Sequence, residues 1–185
     1  MSFLTPTPST DCLNRHEFSS VYSPAEDSFL FLDALESDVD FIRNRLKPTL
    51  SIEAVHALTC ALTSHFSSVG LADIVLFNPP YVPTEENELL KAKSTLSAAW
   101  AGGPKGRMVI DAFIKQVEPF LSKSGVLYIL LLRENDPDEV ASLIKLVTNG
   151  RLSESKCVHQ RRCGTEHLFV YRFYYPGVDP VIGVK

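Results

Sequence analysis

Val126-Leu127-Tyr128-Ile129-Leu130-Leu131-Leu132 is an unbroken apolar run, entered through Ser124-Gly125 and left toward Asp136-Pro137. A strand with one wet face would alternate polar and apolar residues. A run that is apolar throughout belongs inside a sheet covered on both sides. Asp73-Ile74-Val75-Leu76-Phe77 has the same character and stops abruptly at Asn78-Pro79-Pro80. Strands of this kind need helices on both faces, and the intervening sequence supplies them. Val109, Ile110, Phe113, Val117, Phe120 and Leu121 mark one apolar helical face. Asp136-Pro137-Asp138-Glu139 reads as cap, proline and N3 glutamate for a helix carrying Val140, Leu143, Ile144 and Val147, closed by Gly150.

The amino-terminal half repeats this grammar. Ser23-Pro24-Ala25-Glu26 has the form of a capping box, and the helix behind it carries Phe29, Leu30, Leu32 and Leu35 to about Glu36. A second short helix, Asp38 to Lys47, buries Phe41, Ile42 and Leu46 before Pro48. Ile52, Val55, Leu58, Leu62 and Phe66 recur at three- and four-residue intervals and predict a helix over 52–66. A polar loop or short helix at 84–93 leads to a flexible turn at Ala101-Gly102-Gly103-Pro104. Two strand-like runs, Leu152 to His159 and His167 to Tyr175, are joined through Arg162-Cys163-Gly164 and should pair antiparallel. The fold class is α/β, a mostly parallel layered sheet with an antiparallel edge.

A length of 185 residues with 45% hydrophobic content fits one domain, expected over 17–175. Residues 1–16 read as a disordered Ser/Thr/Pro-rich lead-in and 176–185 as a tail. The net charge of −4 argues against a protein that grips phosphate backbones, so a nucleic-acid partner is not expected. No apolar run nears the roughly 18 residues that cross a bilayer, and no secretory signal opens the chain. Cys12, Cys60, Cys157 and Cys163 form no CxxC pair and read as reduced thiols of a cytoplasmic, or cytoplasmic and nuclear, protein. Cys157, His159 and Cys163 lack a second ligand pair, and no metal site is assigned. Arg161 and Arg162 read as solvated residues of a hairpin turn. Trp100 either shapes a substrate entrance or anchors its loop in the core.

Asn78-Pro79-Pro80-Tyr81 stands where ligands of open α/β sheets bind, beyond the carboxyl end of a strand. A proline turn that merely stops the strand is the plain alternative. By average composition, however, this tetrapeptide arises by chance in about one chain in a thousand of this length. Its chemistry suits methylation of a planar nitrogen, a poor nucleophile whose lone pair is delocalised. A site helps by accepting both N–H bonds and aiming the lone pair at a methyl donor. Asn78 offers a side-chain carbonyl and Pro79 a backbone carbonyl. The prolines bring fixed φ and no competing donor. Tyr81 offers an aromatic face.

Tyr22-Ser23-Pro24-Ala25-Glu26-Asp27-Ser28-Phe29-Leu30-Phe31-Leu32-Asp33-Ala34-Leu35-Glu36 resembles the opening of the eukaryotic and archaeal HemK-type protein methyltransferases. Phe77-Asn78-Pro79-Pro80-Tyr81-Val82-Pro83-Thr84 and Ala99-Trp100-Ala101-Gly102-Gly103-Pro104-Lys105-Gly106-Arg107 are similar to two further stretches of that family, in the same order. The resemblance, over about 17–173, implies a Rossmann-like class I methyltransferase sheet. It also implies S-adenosyl-L-methionine as donor and the side-chain amide of a release-factor glutamine as acceptor. A small zinc-binding activator subunit usually accompanies such a chain, and a lysine of histone tails is a further acceptor assigned to members. Carried over residue by residue, Asn78, Pro79, Pro80 and Tyr81 form the catalytic motif, and Ser28 and Asn78 touch the cofactor.

The family pattern also contains a strand ending in a glycine-rich E-x-G-x-G-x-G turn, then a second strand ending in an acidic residue for the ribose. This chain has no glycine between Met1 and Gly70. About one βαβ unit, roughly thirty residues or more, is missing near 48–54. Glu53 is a stand-in for the ribose acid or an exposed helix glutamate. Two other readings therefore stand beside the methyltransferase. One is a non-catalytic or splice or gene-model variant that keeps only partner binding. The other is a nucleic-acid adenine N6-methyltransferase, since this tetrapeptide also suits a flipped base.

Overall fold

The structure, a computed structural model, describes Ser9 and residues 23–54, 72–88 and 99–178. Helix α1 (Glu26–Ser37) and a π-helical turn (Phe41–Leu46) lead into strand β1 (Ser51–Ala54). Then come β2 (Ala72–Phe77), α2 (Met108–Val117), β3 (Leu121–Leu132), α3 (Pro137–Val147), β4 (Glu154–Cys163) and β5 (Glu166–Tyr174). The strands make one sheet in the order β1-β2-β3-β5-β4. Strands β1, β2 and β3 are parallel, and β5 runs antiparallel to both of its neighbours. The α/β sheet with a carboxyl-terminal antiparallel hairpin is the fold expected of the sequence.

Strand β3 is the centre of that sheet, with Gly125 to Leu132 buried without interruption. Its register shows how the two faces are filled. Tyr128 pairs with Arg172 of β5, and both reach Asp38 just beyond α1. Phe77 of β2 pairs with Ile129, one residue on, so it lies on the opposite face and stacks on Phe113 of α2 at 3.8 Å. Helix α1 therefore covers one face of the sheet, and α2, packed against α3, covers the other.

Several boundaries differ from those read in the sequence. Ser51–Ala54 is a strand, which corrects the start of the helix expected over 52–66; the rest of that segment lies outside the described residues. Four residues hydrogen-bonded to β2 outweigh a three- and four-residue spacing, which is a weak local signal. Glu53 is accordingly an exposed strand residue, not a helix glutamate. Helix α1 starts at Glu26 with Ala25 as cap, because Ser28 Oγ accepts from Ala25 N at 3.4 Å while Glu26 turns out to Arg161. The expected helix at 38–47 is mainly the π-helical turn, closed by Lys47 at φ 49°, and Phe41 is its buried residue. Strand β3 already begins at Leu121, and Ser124-Gly125 fall within a register irregularity opposite Asp73. Arg162 and Cys163 belong to β4, with the turn at Gly164-Thr165. The α3 cap forms as expected, Asp136 accepting from Glu139 N at 3.1 Å. Residues 1–8, 10–16 and 179–185 of the expected lead-in and tail, like Cys12 and Cys60, lie outside the described residues. Val178 packs against the core. Among the described residues no helix is long and apolar enough to cross a membrane.

Asp38 and Arg172 form a buried ion pair, 3% and 0% exposed, with Arg172 Nη1 2.5 Å from Asp38 Oδ2. Tyr128 donates its hydroxyl to the same oxygen at 2.9 Å, and Lys156 approaches the other at 3.6 Å. The guanidinium stacks on Phe41, 3.6 Å from the ring centroid. Burial, and then the neighbouring Asp38 carboxylate, push the Tyr128 hydroxyl pKa far above its ordinary value. Removing one member leaves the other charge buried, so Arg172→Ala is expected to cost about 3–5 kcal/mol. Chemical denaturation checks this; a loss below about 1 kcal/mol would mean that the pair behaves as an exposed one.

Asp73 ties the edge strand to the sheet. Its Oδ2 accepts from Thr49 N and Oγ1, both at 2.8 Å, and from Leu50 N at 3.3 Å, while Oδ1 accepts from Ser122 Oγ at 2.7 Å. Burial raises the carboxyl pKa, but the hydrogen bonds from Ser122, Thr49 and Leu50 outweigh it and the net shift is downward. A carboxyl whose pKa falls on folding stabilises the fold above its unfolded value, about 3.9, and ceases to do so as pH drops through the folded value. Asp73→Asn should therefore be less stable than the parent at pH 7, with the gap closing below about pH 4. Denaturation midpoints against pH decide this, and a gap independent of pH would show that charge plays no part.

Candidate functional site

The tetrapeptide Asn78-Pro79-Pro80-Tyr81 leaves the carboxyl end of β2 and meets the first turn of α1. Asn78 Nδ2 donates to Asp27 Oδ2 at 3.2 Å. The other oxygen of Asp27 accepts from Ser28 N at 2.8 Å and from Ser28 Oγ at 3.3 Å. Ser28 and Asn78, 50 positions apart in the sequence, are thus brought together through one buried carboxylate. An acidic residue in the first turn of a helix is also favoured by the helix dipole. The remaining polar atom, Asn78 Oδ1, is sealed from solvent and has no hydrogen-bond partner. Leaving a buried carbonyl unpaired costs about 1–3 kcal/mol, so this oxygen at a strand's carboxyl end is a point where a donor from a ligand or from water is taken up.

Pro79, Pro80 and Tyr81 are buried, and Tyr81 belongs to the core cluster. The rest of the tetrapeptide's loop is zipped to the glycine-rich segment. Val82 N donates to Trp100 O at 3.0 Å and accepts through its carbonyl from Gly102 N at 2.8 Å. Thr84 N donates to Gly103 O at 3.0 Å, and Thr84 Oγ1 accepts from Gly103 N at 2.8 Å. The two stretches that resemble one family in sequence are therefore one structural unit, not separate motifs. Glycine is required at its centre. A Cβ on Gly106, whose φ is +67°, would collide with the Tyr81 carbonyl, and one on Gly102 would lie 2.6 Å from Pro80 O.

Asn135, in the short turn after β3 and fully buried, locks this unit to the sheet. Its Oδ1 accepts from Leu132 N at 2.6 Å, and its Nδ2 donates to Tyr81 O and to Lys105 O, each at 2.8 Å. Arg107 supports it from behind, donating to Asn135 O at 3.0 Å and to Asp111 at 2.7 Å, with Glu139 at 3.4 Å. Asp27, Asn135, Thr84 and Arg107 were not singled out from the sequence. Their one available signal was position: each follows a predicted strand end or sits within a stretch that resembles the family.

Other expectations resolve more simply. Trp100 is 38% exposed rather than anchored in the core. Arg161 is not a solvated turn residue but pairs with Glu26 at 3.1 Å and with Asp33, fastening α1 to β4. Arg162 is exposed. Cys157 and Cys163 are free thiols, and among the described residues no group of three or more His, Cys, Asp or Glu could hold a metal ion.

The carboxyl end of β1 is built differently from the tetrapeptide's loop. Strand β1 lies beside β2, with Glu53 opposite Leu76 and Ala54 opposite Phe77, so its carboxyl end opens beside Asn78. A nucleotide donor approaching there needs a glycine turn that lets the backbone close on it. Ala54-Val55-His56-Ala57-Leu58 follows instead, every residue with a Cβ. Glu53 supplies a carboxylate at the strand end, but no glycine cradle comes with it.

No family model matches the chain. It is 31% identical over 210 residues to methyltransferase HEMK2 of Homo sapiens, covering 90% of this chain and 95% of the human protein. With the eRF1 methyltransferase catalytic subunit mtq2 of Schizosaccharomyces pombe it is 28% identical over 229 residues, covering 92% of this chain and 96% of that one. Both alignments are longer than the 185 residues of the chain, so each relative carries residues with no counterpart here. Among solved structures, the E. cuniculi Mtq2-Trm112 complex responsible for methylation of the eRF1 translation termination factor has a similar fold. The TM-score is 0.54 at 24% identity, over 83% of this chain and 98% of that one.

Asn135→Ala would leave Leu132 N, Tyr81 O and Lys105 O without their partner. It is expected to lower stability by about 2–4 kcal/mol, read from urea denaturation. Asn135→Asp should cost at least as much, because a carboxylate would face two carbonyl oxygens. Unchanged midpoints in both would show that the loops hold together without it.

Proposed function

The chain belongs to the HEMK2 family of methyltransferases, and from that premise we propose that it acts on the side-chain amide of a glutamine in a translation release factor. S-adenosyl-L-methionine is the methyl donor of that reaction, and a small zinc-binding activator subunit is the proposed partner. The single observation that carries the acceptor assignment is Asn78 Oδ1, a buried carbonyl oxygen with no partner beside a carboxylate that holds the other end of the same amide.

Asn78 Oδ1 accepts one N–H of the acceptor amide, and the Pro79 carbonyl is proposed for the other. Two acceptors on one NH₂ fix its plane and point the nitrogen lone pair along a single direction, which supplies rate through orientation. Pro79 and Pro80 contribute no N–H that could compete for those oxygens. No general base is needed for the grip itself. Because no glycine stands between Ala54 and Gly70, no role in holding the donor is assigned to the residues after β1.

A second reading is favoured by that same segment. A chain with the acceptor grip and no donor cradle would bind the release factor without methylating it. Calorimetric titration of S-adenosyl-L-methionine into the full chain, co-purified with the activator subunit, separates the two. Micromolar binding, together with release-factor methylation that Asn78→Ala abolishes while the protein stays folded, is the expected result. A folded complex that gives no heat with the donor but still captures the release factor would establish the second reading instead. Methylation of DNA and not of the release factor would overturn the acceptor class.

A further inference from the structure

We propose that Asp27 is a positioning residue that makes the acceptor site select an amide over a carboxylate; this rests on the acceptor reading of Asn78 given above. The side-chain amide of asparagine is nearly symmetric in shape and opposite in polarity at its two ends. Either end could face a ligand unless something fixes it. Asp27 can only accept hydrogen bonds, so the end of Asn78 turned toward it at 3.2 Å is the NH₂. The oxygen is thereby turned the other way, where it is buried and unpartnered.

Asp27 is itself locked. Its second oxygen takes both Ser28 N and Ser28 Oγ, and the residue is only 6% exposed in the first turn of α1. The carboxylate cannot swing away without giving up the helix's own N-terminal hydrogen bonds. Asn78 is thus held in one of its two orientations by a side chain 51 positions earlier, on a different element.

The consequence is chemical selection. A glutamine side chain brings N–H groups to Asn78 Oδ1. A glutamate of the same length brings only lone pairs and a negative charge, toward an oxygen backed by the Asp27 carboxylate. With an amide in place of that carboxylate, either end can face Asn78. Asn78 could then turn its NH₂ outward and accept an acid as readily as an amide. Asp27 touches neither substrate nor donor in this arrangement; it acts through Asn78.

The test is binding, not turnover, so it does not depend on the donor. Calorimetry would compare the full chain, with its activator subunit, against release factor eRF1 and against eRF1 whose acceptor glutamine is replaced by glutamate. The parent should favour the glutamine form by about tenfold or more. Asp27→Asn, nearly isosteric, should bring the two forms within about threefold in a protein that is less stable but still folded. The exchanged pair Asp27→Asn with Asn78→Asp should restore the preference, because a carboxylate at 78 accepts from the amide at 27 and still turns an oxygen to the ligand. A folded Asp27→Asn protein that keeps the full preference would overturn the role of Asp27. So would an exchanged pair that folds and does not restore it. Failure of the parent to bind either form would overturn the acceptor reading, and this inference with it.

Discussion

A carboxylate at the end of a helix, taken out of water, is tolerated only where its partners are fixed. Asp38 has such partners on two strands, Arg172 of β5 and Tyr128 of β3, and they are neighbours in register. The desolvation of both ions is large, so the pair adds little net stability over an apolar alternative. What it supplies is position: α1 and the sheet cannot slide past each other without stranding a charge. Arg161 fastens the same helix along its length through Glu26 and Asp33. With its far end pinned by Asp38 and its side by Arg161, the first turn of α1 has one place to go, and there Asp27 meets Asn78.

The candidate site is accordingly a meeting of segments, not a property of the tetrapeptide. Asn78 comes from β2, Asp27 and Ser28 from α1, and the loop beyond Tyr81 is held by Asn135 and by the glycine-rich segment. Asn135 uses both of its polar ends on backbone groups and so ties the turn after β3 to the loops at Tyr81 and Lys105. Glycine at 102 and 106 is dictated by how closely those backbones approach. The loop that carries the tetrapeptide is thus tightly held, whereas no glycine stands between Ala54 and Gly70 to let a backbone close on a nucleotide.

Much of the fold was legible because burial writes itself into sequence at strand centres. The all-apolar run at Val126–Leu132 is a strand buried throughout, and the shorter run at Asp73–Phe77 is a strand with Ile74, Val75 and Phe77 buried and Asp73 and Leu76 half-buried. Asp136-Pro137 begins α3 as its cap chemistry requires. Ser51–Ala54 was not legible: four residues at the sheet's edge carry too little pattern to outweigh helical spacing that continues past them. The cap of α1 shifted because Glu26 and Ser28 had tertiary and local partners that a linear reading does not weigh.

The sequence alone determined the class of fold, the placement of Asn78-Pro79-Pro80-Tyr81 at a strand's carboxyl end, and the resemblance carried by three separated stretches. Periodicity, proline geometry and residue identity are local properties, and a chain displays them before it folds. Only the tertiary structure decided that Asp27 meets Asn78, that Asn135 holds Tyr81, that Arg172 is buried against Asp38, and that two of the three stretches form one unit. Those are contacts across 18 to 134 positions of chain. Which partner a buried polar group finds depends on strand order and register, and neither is encoded at the residues that meet.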